Sequence, residues 1–444
     1  MRVILKNFHL IDEETDIVGR VIIEDGIIAA VLPGCGPAEE EGMTIDGRRF
    51  LSPSSPSSGL PLLMPAFVDL HAHFRDPGFP EKETLESGSL AAAAGGFGTV
   101  VCMANTNPVI DRLETAVSIK QRADALGLID LYPAMSLSTG MEGKELSGIS
   151  ELHGQAGAYL PLLLSEDGKD LADEGLFLKA MAEARRLGIP ISCHCDYGGG
   201  EAEAAKKAGQ PRKVWSRIEE NYAVRRVIDL GKKAGCHIHI AHVSTKEAVE
   251  IIRQAKKEAP GNSGFRLSCE AMPHNFRLTE EDAEKMGGES FGRVNPSLRS
   301  QADREALKTA ILDGTIDAIA TDHAPHTLDD KAKGAPGFAG LETAFAASFT
   351  ELGPVIDSNT IVSLQRLSAL MSANPARLLG LNDRGRLKEG FLGDLVIINK
   401  EASWQVEPEL FKSRGKNSPF LGHRLYGKVL MTIRGGRIVF QAQD

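Results

Sequence analysis

Residues 175–195, GLFLKAMAEARRLGIPISCHC, set an amphipathic helix pattern directly before a short apolar run that ends in His194. The same theme, a β-type apolar run alternating with helical patterns, recurs through the middle of the chain. Eight apolar runs can be counted: AFVDLHAHF (66–74), GTVVCMA (98–104), DLYPAMS (130–136), AYLPLLLS (158–165), PISCHC (190–195), CHIHIAH (236–242), FRLSCEA (265–271) and DAIATDH (317–323). Helical patterns such as ETAVSIKQRADALG lie between several of them. Strands that alternate with helices at this spacing predict a parallel sheet. Eight units predict an α/β fold closed into a (β/α)8 TIM-type barrel over 61–384, rather than an open doubly wound sheet. No glycine-rich phosphate loop follows a strand, so the nucleotide-binding α/β folds lack their signature.

The two ends of the chain read differently. VIIEDGIIAAV (21–31) is a hairpin pattern around Asp25-Gly26, and GDLVIINK and KVLMTIRGGRIVF are strand runs, the latter split by Gly435-Gly436. Residues 1–60 and 385–444 are therefore expected to form one small β-sandwich domain built from both termini. SPSSPSSG (52–59) is a low-complexity segment expected to be a solvated loop.

Composition narrows the function classes. The 444 residues are 42% hydrophobic and 25% charged, with a formal net charge of -10. That balance argues against nucleic acid as a partner, since phosphate binding needs a basic footprint, but leaves room for a small anionic substrate held by a few local cations. No apolar run is long enough to span a bilayer, and the N-terminus lacks the apolar core of a secretory signal, so a cytoplasmic protein is expected. Six cysteines in so long a chain make no disulfide framework. Cys193, Cys195, Cys236 and Cys269 lie in strand-like runs and read as reduced core thiols.

In a barrel of this type, catalytic groups sit at the C-terminal ends of the strands. Here those ends carry His71, His73, Asn105, Asp167, His194, His242 and Asp322. His71 and His73 are two residues apart, so both imidazoles face the same side of one strand. Each residue alone has an ordinary reading: a core histidine, a helix cap at Asp322, a turn asparagine. Their convergence on one end of one barrel points instead to a metal. Imidazoles with carboxylate and open positions suit zinc. Asp167 is placed to bridge between the histidine pairs; its neighbour Glu166 points the other way if the strand persists. His237 and His239 read as structural.

The segments PAFVDLHAHFRDPG, GGFGTVVCMANTNPV, SEDG, SCHC, AHVSTKEAVE, RVNPSLR and ATDHAPHT resemble, in order, the signature segments of the type I dihydroorotases of the amidohydrolase superfamily. The resemblance runs from about Leu63 to Gly390 and continues in KNSPFLGHRLYGKVLMTIRGGRIV. It implies reversible zinc-dependent hydrolysis of dihydroorotate to N-carbamoyl-aspartate, with one or two zinc ions per chain. By the resemblance, His71, His73 and Asp322 hold one zinc, His194 and His242 the second, and Asp167 bridges them. Asp322 is also the proton carrier. Arg75, Asn105 and His326 match the residues that hold the substrate carboxylate, and Asn295 with the backbone at Pro336 and Gly337 matches the contacts to the ring edge. The segment from Thr327 to Ala339 resembles the family's active-site loop. Two departures are the serine-rich 52–59 and CDYGGG after His194, which replaces an acidic pair. A homo-oligomer is expected, and an assembly with aspartate transcarbamoylase is compatible with the family. The competing readings are a hydantoinase, dihydropyrimidinase or allantoinase, for which Arg75 would have no carboxylate to bind, and an inactive homologue serving as a structural partner of aspartate transcarbamoylase.

Overall fold

The computed structural model describes residues 1–34, 36, 41–51, 59–152, 160–168, 170–196, 216–258, 264–354 and 362–443. The serine-rich 52–58 and residues 197–200 of the CDYGGG segment lie outside them.

The helix Glu174–Leu187 shows how the sequence builds the repeat. Asp173 caps its start, accepting from the Leu176 amide at 2.7 Å, and Gly188 ends it with a left-handed φ of 71°. Phe177, Ala180, Met181 and Ala184 form its buried stripe at helical spacing, and Arg185 and Arg186 oppose the dipole at its end. The chain then turns into the strand Ile191–Cys193.

All eight apolar runs contain a parallel barrel strand. Phe67–Ala72, Phe97–Cys102 and Asp130–Pro133 pair in order, as do Leu164–Ser165, Ile191–Cys193, His237–Ile240, Arg266–Ala271 and Ala318–Ile319. Parallel bridges between Met135 and Leu164, and between Ala72 and His323, link the two groups and close the barrel. The fourth and eighth strands are shorter than their runs. Pro161 has no N–H to offer a ladder, and the Thr321 amide is taken by the Asp69 carboxylate at 3.0 Å. Asp69 lies on the first strand, so this buried carboxylate joins the first and last strands beneath the site; burial pushes it up to about 7.

Both termini meet in one hydrogen-bonded sheet of eight strands. Its main path runs Arg437–Gln441, Arg424–Arg434, Leu395–Gln405, Leu62–Pro65, Arg2–Ile11, Asp16–Glu24 and Ile27–Pro33, with Met43–Asp46 on the side of Arg2–Ile11. Asp25-Gly26 and Gly435-Gly436 are two-residue hairpin turns, all four residues having positive φ, as a tight hairpin turn of this kind requires. Leu62–Pro65 belongs to this sheet, and one residue later the first barrel strand begins. The thiols of Cys193, Cys195, Cys236 and Cys269, and of Cys102, are free and buried. Among the described residues no helix is long and apolar enough to cross a membrane.

Phe67 opens the first barrel strand. Its fully buried ring stacks on Phe345 at 5.3 Å and meets Phe97 edge-on at 5.6 Å. Phe67→Ala should therefore cost about 3–5 kcal/mol of stability, as for other fully buried aromatics. Urea unfolding of the two proteins measures this; a loss below about 1 kcal/mol would show that the barrel wall closes over the cavity without cost.

Candidate active site

The first barrel strand carries Asp69, His71 and His73 at alternate positions, which places all three on the inner side. His73 follows the strand end, and its amide donates to the His323 carbonyl at 2.7 Å, so the closing bridge of the barrel also fixes its backbone. Asp167, His194, His242 and Asp322 come from the ends of the fourth, fifth, sixth and eighth strands. All seven side chains are buried.

The donors meet closely. Asp322 Oδ1 lies 3.4 Å from His71 Nε2 and 3.2 Å from His73 Nε2. Asp167 reaches His73 Nδ1 at 3.3 Å through Oδ2 and His194 Nδ1 at 3.0 Å through Oδ1, so its two oxygens face different histidines. His194 Nδ1 and His242 Nε2 are 3.1 Å apart. Two groups of three donors each lie within 4.8 Å of one another: His71, His194 and His242, and His71, His73 and Asp167. Either group can hold a metal ion, and they share His71. Glu166 turns away and accepts from the amides of Leu137 and Ser138, both at 3.0 Å.

The residues fit a metal by their hydrogen bonding as well as their type. His71 Nε2 is buried among the other donors and makes no hydrogen bond among the described residues. Burial, then the neighbouring His71, holds the His194 imidazole well below its usual range, and burial, then His71, also lowers His242. Neutral imidazole is the form that ligates. His71 differs. Burial alone would lower it, but the carboxylates of Asp322, Glu270 and Asp167 outweigh burial and raise it. Positive charge is therefore favoured at the point where the donors converge. Asp322, despite burial, is held below the usual carboxylate range by His71 and His73.

A second layer fixes this set, and most of it is not evident from the motifs. Glu270, fully buried on the seventh strand, binds His71 Nδ1 at 3.0 Å through Oε1, and its Oε2 lies 3.1 Å from His239 Nε2. This contact turns His71 Nε2 toward the cluster. Ser165 Oγ does the same for His194, at 2.9 Å from Nε2. Buried Glu83 holds His323 Nε2 at 3.3 Å. The signal for Glu270 was present in the sequence: a carboxylate near the end of the apolar run FRLSCEA needs a buried partner.

Beside the metal donors lies a cavity of about 200 Å³. Its walls include Arg75, Asn105, Asn295, His326, Pro336 and Gly337, together with His73, Asp167, His242 and Asp322. Arg75 Nη2 is 3.3 Å from His326 Nε2, and Arg75 Nε donates to the Pro325 carbonyl at 3.4 Å. Among the described residues no carboxylate forms an ion pair with Arg75. Asn105 lines the cavity but commits its amide to the metal donors, donating to Asp167 Oδ2 at 2.8 Å and accepting from His73 Nδ1 at 3.0 Å. His326 Nε2 also lies 2.9 Å from the Pro336 carbonyl oxygen; burial and Arg75 lower its pKa to about 3, so it is neutral. Arg75, His242 and Asp322 all have left-handed backbones, with φ of 57°, 35° and 45°. Non-glycine residues pay about 1–3 kcal/mol for such conformations, and three of them face one cavity.

A closed (β/α)8 barrel with a histidine–carboxylate cluster at its C-terminal face is the architecture of metal-dependent hydrolases, and residues 62–439 match the amidohydrolase family model. The chain belongs to the amidohydrolase family. Within it, the chain is 37% identical to a dihydroorotase of Clostridium botulinum over 99% of its length and 100% of that relative's. It is 38% identical to a dihydroorotase of Citrifermentans bemidjiense over the full length of both. Among solved structures it is similar to the L-hydantoinase (dihydropyrimidinase) of Arthrobacter aurescens, with a TM-score of 0.81 and 26% identity, covering 100% of this chain and 96% of that one. The dihydropyrimidinase of Brevibacillus agri, at 19% identity and a TM-score of 0.81 over 99% of this chain and 95% of that one, shares the fold.

Glu270→Ala removes the group that orients His71 while leaving every candidate ligand in place. Divalent-metal affinity, measured by competition with a chromophoric chelator, should fall about 10- to 100-fold. Unchanged affinity would show that His71 holds its orientation without Glu270.

Proposed function

We propose that the protein is a zinc-dependent dihydroorotase, which opens the ring amide of dihydroorotate to N-carbamoyl-aspartate and closes it in reverse, a step of pyrimidine biosynthesis. One observation carries this reading over the other cyclic amide hydrolases. Arg75, a guanidinium with no carboxylate partner among the described residues, lines the same cavity as the metal donors. Dihydroorotate brings the missing carboxylate on the ring that is to be opened. The full-length likeness to dihydroorotases supports the same substrate.

His71, His73, His194, His242, Asp167 and Asp322 would hold zinc, either one ion or a pair bridged by Asp167. When bound, zinc supplies Lewis acidity toward the ring carbonyl and a more acidic attacking water. The chain's own residues do the rest. Arg75 presents a planar fork that pairs with the substrate carboxylate and fixes which amide faces Asp322. His326 and the backbone at Pro336 and Gly337 form the wall against which the ring rests, and Asn295 closes its edge. Asp322, present as the carboxylate, accepts the proton of the attacking water at its carboxylate oxygen. It returns that proton to the ring nitrogen as the carbon–nitrogen bond breaks. In the closing direction the same carboxylate first receives the proton of the attacking nitrogen and then gives it to the departing hydroxyl, which leaves as water. Opening creates a carboxyl group that is ionised at neutral pH and so releases a proton, and alkaline pH therefore favours opening and acidic pH closure.

The second reading, hydrolysis of an uncharged cyclic amide, is favoured by the 26% identity to a hydantoinase structure. Arg75→Gln separates the two. Removing one member of a buried charge pair costs about 2–5 kcal/mol, or roughly 30- to 5,000-fold in kcat/KM on dihydroorotate. Weak turnover of dihydrouracil, which lacks the carboxylate, should change far less, and metal content should not change. An equal loss on both substrates would assign Arg75 a structural role and favour the uncharged-substrate reading.

A further inference from the structure

The C-terminal motif that begins KNSPF has no place in the chemistry above, yet the chain brings it against the cavity. Between the strands Leu395–Gln405 and Arg424–Arg434 the chain leaves the terminal sheet and runs behind residues 323–326. Its residues meet first the carboxylate that supports that segment and then the segment itself. Ser413 Oγ and the Arg414 amide both donate to Glu83, the carboxylate that holds His323 Nε2. Gly415 packs on Pro325 so tightly that a Cβ there would lie 2.5 Å from Pro325 Cβ. The Pro325 carbonyl is the one that receives Arg75 Nε.

Asn417 makes the most specific contacts. Its Oδ1 accepts from the His326 amide at 3.0 Å. Its Nδ2 donates to the carbonyls of Ala324 at 3.2 Å and Gly337 at 3.0 Å. Its own carbonyl accepts from the Ala339 amide at 3.2 Å. One buried amide thus joins both strands of the small ladder formed by His323 and Phe338. That ladder presents His326, Pro336 and Gly337 to the cavity. Buried Lys331 reinforces the far side, its Nζ donating to the carbonyls of Arg293 at 2.8 Å, Ala335 at 2.9 Å and Gly337 at 3.1 Å. Asn417 itself does not line the cavity.

We propose that Asn417 is a positioning residue for the substrate carboxylate: with Gly415 it forms a strap from the terminal domain that fixes where Arg75, His326 and the Gly337 backbone stand. The proposal rests on the dihydroorotase reading. It places the strap's effect on substrate binding and not on the metal or on Asp322, because its hydrogen bonds end on the wall that faces the carboxylate. Loss of the Asn417 amide leaves the His326 N–H and the Ala324 carbonyl without this partner and the Gly337 carbonyl held by Lys331 alone, so the wall is held more loosely.

The test is steady-state kinetics on dihydroorotate with Asn417→Ala, Asn417→Ser and Gly415→Ala, each zinc-loaded and with metal content measured. For Asn417→Ala, KM should rise about 10- to 100-fold while kcat stays within about threefold and metal content is unchanged. Gly415→Ala, whose Cβ would lie 2.5 Å from Pro325 Cβ and 2.8 Å from the Asn417 Oδ1 that receives the His326 amide, should show the same split. Asn417→Ser carries the comparison if the alanine variant does not fold. An unchanged KM in folded variants, or a fall in kcat that tracks lost metal, overturns the proposal. A wild-type protein that is folded and zinc-loaded but leaves dihydroorotate intact overturns the substrate reading instead, before any variant is compared.

Discussion

Asp322 Oδ1 lies within 3.4 Å of both His71 Nε2 and His73 Nε2, inside a barrel end that also buries Asp167 and Glu270. Three carboxylates and four imidazoles buried in one volume are costly unless a positive charge is shared among them. Without a metal that charge falls on His71, whose proton affinity the carboxylates raise against burial. A divalent cation held by these donors would supply that charge and leave the imidazoles in the neutral form that ligates. The rest of the site follows from this need. Asp167 must face two histidines at once, Glu270 and Ser165 must turn the rings, and Asp322 must remain an anion.

Holding such a cluster requires a rigid frame, and the frame stores strain. Arg75, His242 and Asp322 occupy left-handed backbone positions that their side chains disfavour. The eighth strand keeps Asp322 there through Thr321, whose amide is bound by Asp69 on the first strand, and through His323, whose carbonyl receives the His73 amide. The two strands that carry His71, His73 and Asp322 are therefore joined by side-chain and backbone contacts directly under the donors. The terminal sheet contributes as well. It continues into the first barrel strand at Leu62–Pro65 and returns behind the cavity at 413–417.

What could be read in the sequence follows local periodicity. Eight apolar runs mark the eight strands because each is buried on both faces, and strand-end polar residues stand out against them. The alternation of His71 and His73 put both on one side without any knowledge of the fold. Lengths were less legible: the fourth strand is only Leu164–Ser165 and the eighth only Ala318–Ile319, since ladder hydrogen bonds were lost to a proline and to Asp69. Contacts between distant segments were not legible at all. Glu270 is 199 residues from the histidine it orients, and Asn417 is 91 from the amide it holds. Nothing within either segment indicates the partner. Asn105 illustrates a different limit, because the motif suggested substrate while its amide is occupied by His73 and Asp167.

The central claim is that a metal held by this cluster is required for opening a ring that carries a carboxylate. The most direct measurement is the rate of dihydroorotate opening by the purified protein at mildly alkaline pH, before metal removal, after exhaustive chelation, and after zinc is returned. Turnover should disappear with the metal and recover with zinc in proportion to the ion bound. Undiminished turnover in thoroughly demetallated protein would contradict it.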